Sequence, residues 1–159
     1  MLSFNKNLLV VILISLSFSF VACKRDRDFT NIPDSYVNIH INLYEYTTFY
    51  NGLGNYLVCP DDLRYWSELS GFGYAGVVMV HSYMNEFHAY DMCCTNPSCV
   101  ENKRKIEIGE GVGRCAMCRS EFNLLMGYGE VLSGPAKYPL RMYKTYKSST
   151  PSLKVVRID

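Results

Sequence analysis

Six of the seven cysteines lie beyond residue 58, and five of those six fall between residues 93 and 118. They form two groups. The first is Cys93-Cys94-Thr95-Asn96-Pro97-Ser98-Cys99, and the second is Cys115-Ala116-Met117-Cys118, a C-x-x-C knuckle. Each group sits in a turn-rich stretch after a strand-like segment. Two such loops on neighbouring hairpins can point four sulfurs at one centre, and a tetrahedral thiolate set suits Zn²⁺ or an iron–sulfur group. Disulfides are the competing chemistry: Cys94–Cys99 and Cys115–Cys118 would each close a small loop, and an even count of six fits that arrangement. Cys59, after Tyr56-Leu57-Val58, reads as a buried strand-end thiol, with pairing to Cys93 as the other option. His40, His81 and His88 lie nowhere near the spacing of a mixed Cys/His site and read as solvated or hydrogen-bonded strand histidines.

The elements that must carry these loops read as short strands. From Tyr36, Val37, Ile39, Ile41 and Leu43 alternate with Asn38, His40 and Asn42, the period of a half-buried strand. Gly76-Val77-Val78-Met79-Val80 is more continuously apolar, and Phe87-His88-Ala89-Tyr90 follows it across a turn at Ser82–Glu86, predicting a hairpin. Lys105–Ile108, Glu121–Leu124, Met142–Tyr146 and Leu153–Ile158 are further strand candidates, separated by glycine-rich turns. Asp61–Leu69 is the one stretch that reads as a short helix or turn. The predicted class is all-β, a sandwich or barrel of short antiparallel strands.

Composition bounds the function. The chain has 159 residues, with 16 Lys+Arg against 15 Asp+Glu and a formal net charge of +1. That length holds one domain plus a targeting segment. The near-neutral balance argues against a nucleic-acid binder, which carries a basic excess. Thirteen Tyr and eight Phe supply a core and exclude wholesale disorder.

The chain opens with one cation, Lys6, and an apolar run from Leu8 to Ala22 that is short of the ~20 residues needed to cross a bilayer. This pattern is that of an export signal, with an uncleaved anchor as the alternative. Ala22-Cys23 at its end resembles the bacterial lipoprotein processing site, although Phe20-Val21 replaces the usual leucine. The resemblance implies a signal peptide over 1–22, acylation of Cys23, a tether over 23–35 and a domain over 36–159. The protein would then sit in the bacterial cell envelope, held to a membrane on its periplasmic or surface side by lipidated Cys23.

Residues 86–143 resemble the Rieske ferredoxin-like family. Glu86-Phe87-His88-Ala89-Tyr90-Asp91-Met92-Cys93-Cys94 is similar to the strand leading into that family's first cluster loop. Cys115-Ala116-Met117-Cys118-Arg119-Ser120-Glu121-Phe122 is similar to the second, where the family has Cys-x-x-His. Gly134-Pro135-Ala136, Pro139-Leu140 and Tyr143 match the closing proline loop. The resemblance implies a Rieske-like domain with a cluster-binding subdomain of two cysteine loops. It also implies a [2Fe–2S] cluster, which Rieske proteins hold by two Cys and two His.

By position Cys94 and Cys115 match the family's cysteine ligands, while the histidine slots fall on Asn96 and Cys118. Cys99 would replace Asn96 through a bulged loop, giving Cys94, Cys99, Cys115 and Cys118, with Cys93 substituting for Cys94 if the register slips by one. Arg119 and Ser120 are placed to donate hydrogen bonds to sulfur, and the loop at Pro135 to pack beside the metal and limit water. All-thiolate [2Fe–2S] sits near about −400 mV in plant-type ferredoxins, well below imidazole-ligated centres. The functional expectation is therefore a membrane-anchored one-electron carrier working with a redox partner protein. The alternative is a non-redox binding or structural lipoprotein stapled by Zn²⁺ or disulfides.

Overall fold

In the computed structural model, residues 30–157 are described. The export signal, Cys23 and the start of the expected tether lie outside the described residues. Eleven strands make up the framework of the described chain: β1 (Val37–Asn42), β2 (Tyr56–Cys59), β3 (Gly71–Phe72), β4 (Val77–His81), β5 (Phe87–Asp91), β6 (Glu107–Gly109), β7 (Val112–Arg114), β8 (Glu121–Asn123), β9 (Val131–Ser133), β10 (Met142–Lys147) and β11 (Ser152–Val156). The all-β class read from the alternation is the class observed. Seven strands form a larger sheet in the order β2-β4-β5-β10-β11-β1-β3, and β6-β7-β8-β9 form a smaller sheet of consecutive hairpins. Every pairing is antiparallel.

β4 explains why the two sheets form one body. All five of its residues are buried. Val77 and Met79 join the core of the larger sheet, with Ile39, Ile41, Leu153 and Val155. Val78 and Val80 point the other way, into a second core with Tyr90, Ile106, Phe122, Leu124 and the cysteines. A strand covered on both faces reads as a continuous apolar run instead of an alternation, which is how Gly76–Val80 appears in the sequence. The β4–β5 hairpin closes at the expected turn, where Ser82 N–H donates to the Glu86 carbonyl at 2.8 Å.

Of the two forms expected for Asp61–Leu69, helix or turn, the structure has the turn, and the helical segments lie elsewhere. Asp61–Leu69 is a run of turns: the Asp62 carboxylate accepts from Val58 N–H at 2.7 Å, and Asp62 N–H returns to the Val58 carbonyl. A 3₁₀ turn at Leu43–Tyr46 and helix α1 (Thr47–Asn51) occupy a stretch rich in tyrosine and threonine, whose propensity is for strand. Asn42 ends β1 by accepting from Tyr44 N–H at 3.1 Å, and burial of Leu43 and Phe49 in the main core overrides propensity. Helix α2 (Pro97–Glu101) lies inside the first cysteine loop.

The packed chain begins before residue 36. Ile32 is 2% exposed and packs with Ala75, Cys93 and Val100. Its carbonyl accepts from the Arg141 guanidinium at 2.8 Å, and Asn31 donates to the Thr95 carbonyl at 2.8 Å.

Candidate metal centre

The first cysteine loop leaves β5 at Asp91, whose carboxylate is fully buried. It accepts from Cys93 N–H (2.8 Å), Tyr74 N–H (2.6 Å), Ala75 N–H (3.3 Å) and the Tyr143 hydroxyl (2.7 Å). Desolvation pushes the Asp91 carboxyl above its ordinary pKa, against the pull of these donors. Beyond it, Cys94 N–H donates to the Arg104 carbonyl and Arg104 N–H to the Cys99 carbonyl, both at 2.9 Å. These bonds hold both ends of the loop. Between them, Asn96 caps α2 by accepting from Ser98 N–H at 3.2 Å, and Pro97 takes the first helical turn, where a missing N–H costs nothing. The expected bulge at Asn96–Cys99 is therefore a helical turn, and that turn carries Cys99 inward.

The second loop joins β7 to β8. Cys115 N–H donates to the Ser120 carbonyl at 2.9 Å, and Arg119 N–H returns to the Cys115 carbonyl at 2.8 Å. Arg119 sits in the left-handed region at φ 61° to close the turn. Its side chain is exposed. Ser120 is fully buried. Its hydroxyl accepts from Ala136 N–H at 3.0 Å and lies 3.2 Å from Cys118 Sγ. The loop at Pro135 is thereby tied to the knuckle, while the proline ring itself is exposed.

The two loops bring together the Sγ atoms of Cys94, Cys99, Cys115 and Cys118, all within 4.8 Å of one another. Cys94 and Cys118 are 3.5 Å apart and Cys99 and Cys115 3.7 Å. Both short pairs cross between loops. The first three sulfurs are buried and Cys118 is partly exposed. Cys93 is left out: it packs beside Ile32 and Val100, its thiol turned to the Cys94 carbonyl. Cys59 is also buried elsewhere, and all six described cysteines are free thiols.

His81 is engaged by the Phe49 carbonyl and Asn85, far from sulfur chemistry. Sequence reasoning quoted Asp91 and Tyr143 without giving them work. An acid ending an otherwise apolar strand was the available signal for the first.

Burial shapes the metal-free thiols. Desolvation pushes Cys99 up to about 12 and raises Cys94 further. At Cys118 burial also raises the pKa, but the Ser120 hydroxyl and N–H, together with the neighbouring Cys94 and Cys115 thiols, outweigh it and hold the thiol down to about 7. Among these three, the sulfur nearest solvent is thus the first to ionise. Four sulfurs with no nitrogen or oxygen donor among them suit a thiophilic tetrahedral ion.

The chain is similar to Rieske proteins. One is the cyanobacterial plasma membrane Rieske protein PetC3 from Synechocystis PCC 6803, at 25% identity, covering 52% of this chain and 76% of that one, with a TM-score of 0.41. Another belongs to the complex of reduced oxygenase and oxidized ferredoxin in carbazole 1,9a-dioxygenase, at 14% identity, covering 65% and 82%, with a TM-score of 0.43. No family model matches the sequence, and no curated protein does.

Proposed function

We propose that the protein is a membrane-anchored, Rieske-like metalloprotein of the bacterial envelope that passes single electrons to a partner protein through iron held by Cys94, Cys99, Cys115 and Cys118. The observation that carries this reading is the convergence of those four sulfurs at the junction of the two loops. Iron bound there would supply a one-electron couple. The chain's own residues hold the sulfurs in place through Asp91, Asn96 and Ser120, and bury three of them away from water. Ser120 Oγ lies 3.2 Å from Cys118 Sγ, and once a metal holds that sulfur as a thiolate the Ser120 O–H would donate to it, the kind of outer contact that tunes a metal–sulfur bond. Protein sulfur fills every position of a tetrahedral ion, which leaves none for a substrate and favours a carrier over an enzyme.

Anchoring through Cys23 fits the same picture. Seven residues, 24–30, separate it from Asn31, so the lipid would lie at most roughly 30 Å from the residue that grips the Cys94 loop. The centre would then work close to the membrane face.

A second reading is favoured by the closed, all-protein donor set: Zn²⁺ in a structural site, with the domain as a binding or assembly module. Anaerobic purification of the protein decides between them. Iron with visible absorption that bleaches on reduction supports the carrier, and a colourless zinc protein overturns it. In either case Cys115→Ser and Cys118→Ser should abolish metal content, measured by elemental analysis, whereas Cys59→Ser should leave it intact.

A further inference from the structure

We infer that the centre holds a single metal ion and no [2Fe–2S] unit; this rests on the reading of the four cysteines as metal ligands. A thiophilic ion with bonds of about 2.3 Å to four sulfurs places them at the corners of a tetrahedron with edges of about 3.8 Å. Two pairs, at 3.5 and 3.7 Å, have that length, and none of the six pairs exceeds 4.8 Å. A binuclear cluster divides its four cysteines into two pairs on different irons. The iron–iron separation and the outward lean of each pair then open the cross-pair distances well beyond a tetrahedral edge. The sulfurs do fall into two close pairs, Cys94 with Cys118 and Cys99 with Cys115, but every cross-pair distance stays within 4.8 Å and all four remain one compact group.

The loops are also held against parting. Cys94 and Cys99 are locked to each other through Arg104, whose carbonyl and N–H bond one to each. The first loop is tied to the proline loop where the Thr95 hydroxyl donates to the Tyr138 carbonyl at 2.5 Å. The proline loop is tied in turn to the knuckle where Ala136 N–H meets Ser120. Gly134 lies so close that a β-carbon there would stand 2.5 Å from Ser120 Cα. These bonds join the two loops into one frame, and moving Cys94 away from Cys99, as two irons on the two cross-loop pairs would require, works against the pair of bonds that holds both through Arg104. The family-type cluster and this donor set disagree in size.

The test uses the full chain, purified anaerobically from cells supplied with iron and zinc. Metal and acid-labile sulfide are counted per chain, with the mass confirmed by native mass spectrometry. One metal atom and no sulfide is the expected result; an iron form should give a high-spin ferric resonance when oxidised. Two irons with two sulfides overturn the inference while leaving the electron-carrier reading standing. One zinc per chain supports the inference while overturning that reading, and a metal-free protein overturns both. Cobalt titration of the demetallated protein gives a measurement independent of cluster assembly. It should saturate at one equivalent with the ligand-field bands of tetrahedral Co²⁺–thiolate, and saturation at two equivalents would sink the idea.

Discussion

At the scale of single residues, the site depends on a carboxylate that binds no metal. Asp91 gathers three backbone N–H groups and the Tyr143 hydroxyl at the root of the first loop. Asp91→Asn keeps the shape but turns an N–H toward donors that then lack a partner. Each buried donor left unsatisfied costs about 1–3 kcal/mol. Denaturant unfolding should therefore show a loss of about 2 kcal/mol or more, with Tyr143→Phe losing about 1 kcal/mol. His88 gives a pH signature at the same scale. Burial lowers its pKa below the ordinary 6.5, against the opposing pull of Glu86. The unfolded chain then takes up a proton first as pH falls, so stability present above 6.5 is lost on the way down to the folded value. Between about pH 7 and about pH 5.5 the melting temperature should fall, and His88→Gln should fall less.

At the scale of elements, what the sequence disclosed follows from period and what it hid follows from context. β1 was readable because one face is buried and the other wet, and the β4–β5 hairpin because its turn residues separate two apolar runs. Helix α2 was not, since five residues carry no helical period; only Asn96-Pro97, a cap followed by a first-turn proline, marked it. β9 was hidden too, with three residues mostly facing solvent. The four sulfurs were legible as two loops, but their spacing was not, because it is set by that turn and by Ser120. Asn96→Ala removes the cap and should cost about 1 kcal/mol, with faster metal release to a chelator as the second readout. Gly134→Ala is the harsher change. At φ 89° with Ser120 Cα in the way, a β-carbon must push the proline loop off the knuckle. Metal release from that variant should be faster still, at a stability cost of about 1–2 kcal/mol or more.

At the scale of the whole molecule, the chain's first described residues join parts that are distant in sequence. Asn31 holds the Cys94 loop through Thr95, Ile32 fills the space beside Cys93, and Asp34 pairs with both Arg141 and Arg157. The sequence placed residues 30–35 in a tether because the charged run Lys24-Arg25-Asp26-Arg27-Asp28 precedes them and the strand alternation starts only at Tyr36. A single apolar residue, Ile32, gives no periodic signal, and its burial depends on Ala75 and Val100, more than forty positions away. A chain beginning at residue 30 should therefore be more stable than one beginning at residue 36. The shorter chain loses a buried isoleucine, worth about 2 kcal/mol. It also withdraws the Ile32 carbonyl from the buried Arg141 guanidinium, at a further cost of about 1–3 kcal/mol. Ile32→Ala in the full chain isolates the packing part and should cost about 2–5 kcal/mol. Equal melting temperatures for chains starting at 30 and 36 would show that this segment is a tether after all. A drop with faster metal release from the shorter chain would show that residues 30–35 help to hold the first cysteine loop in place.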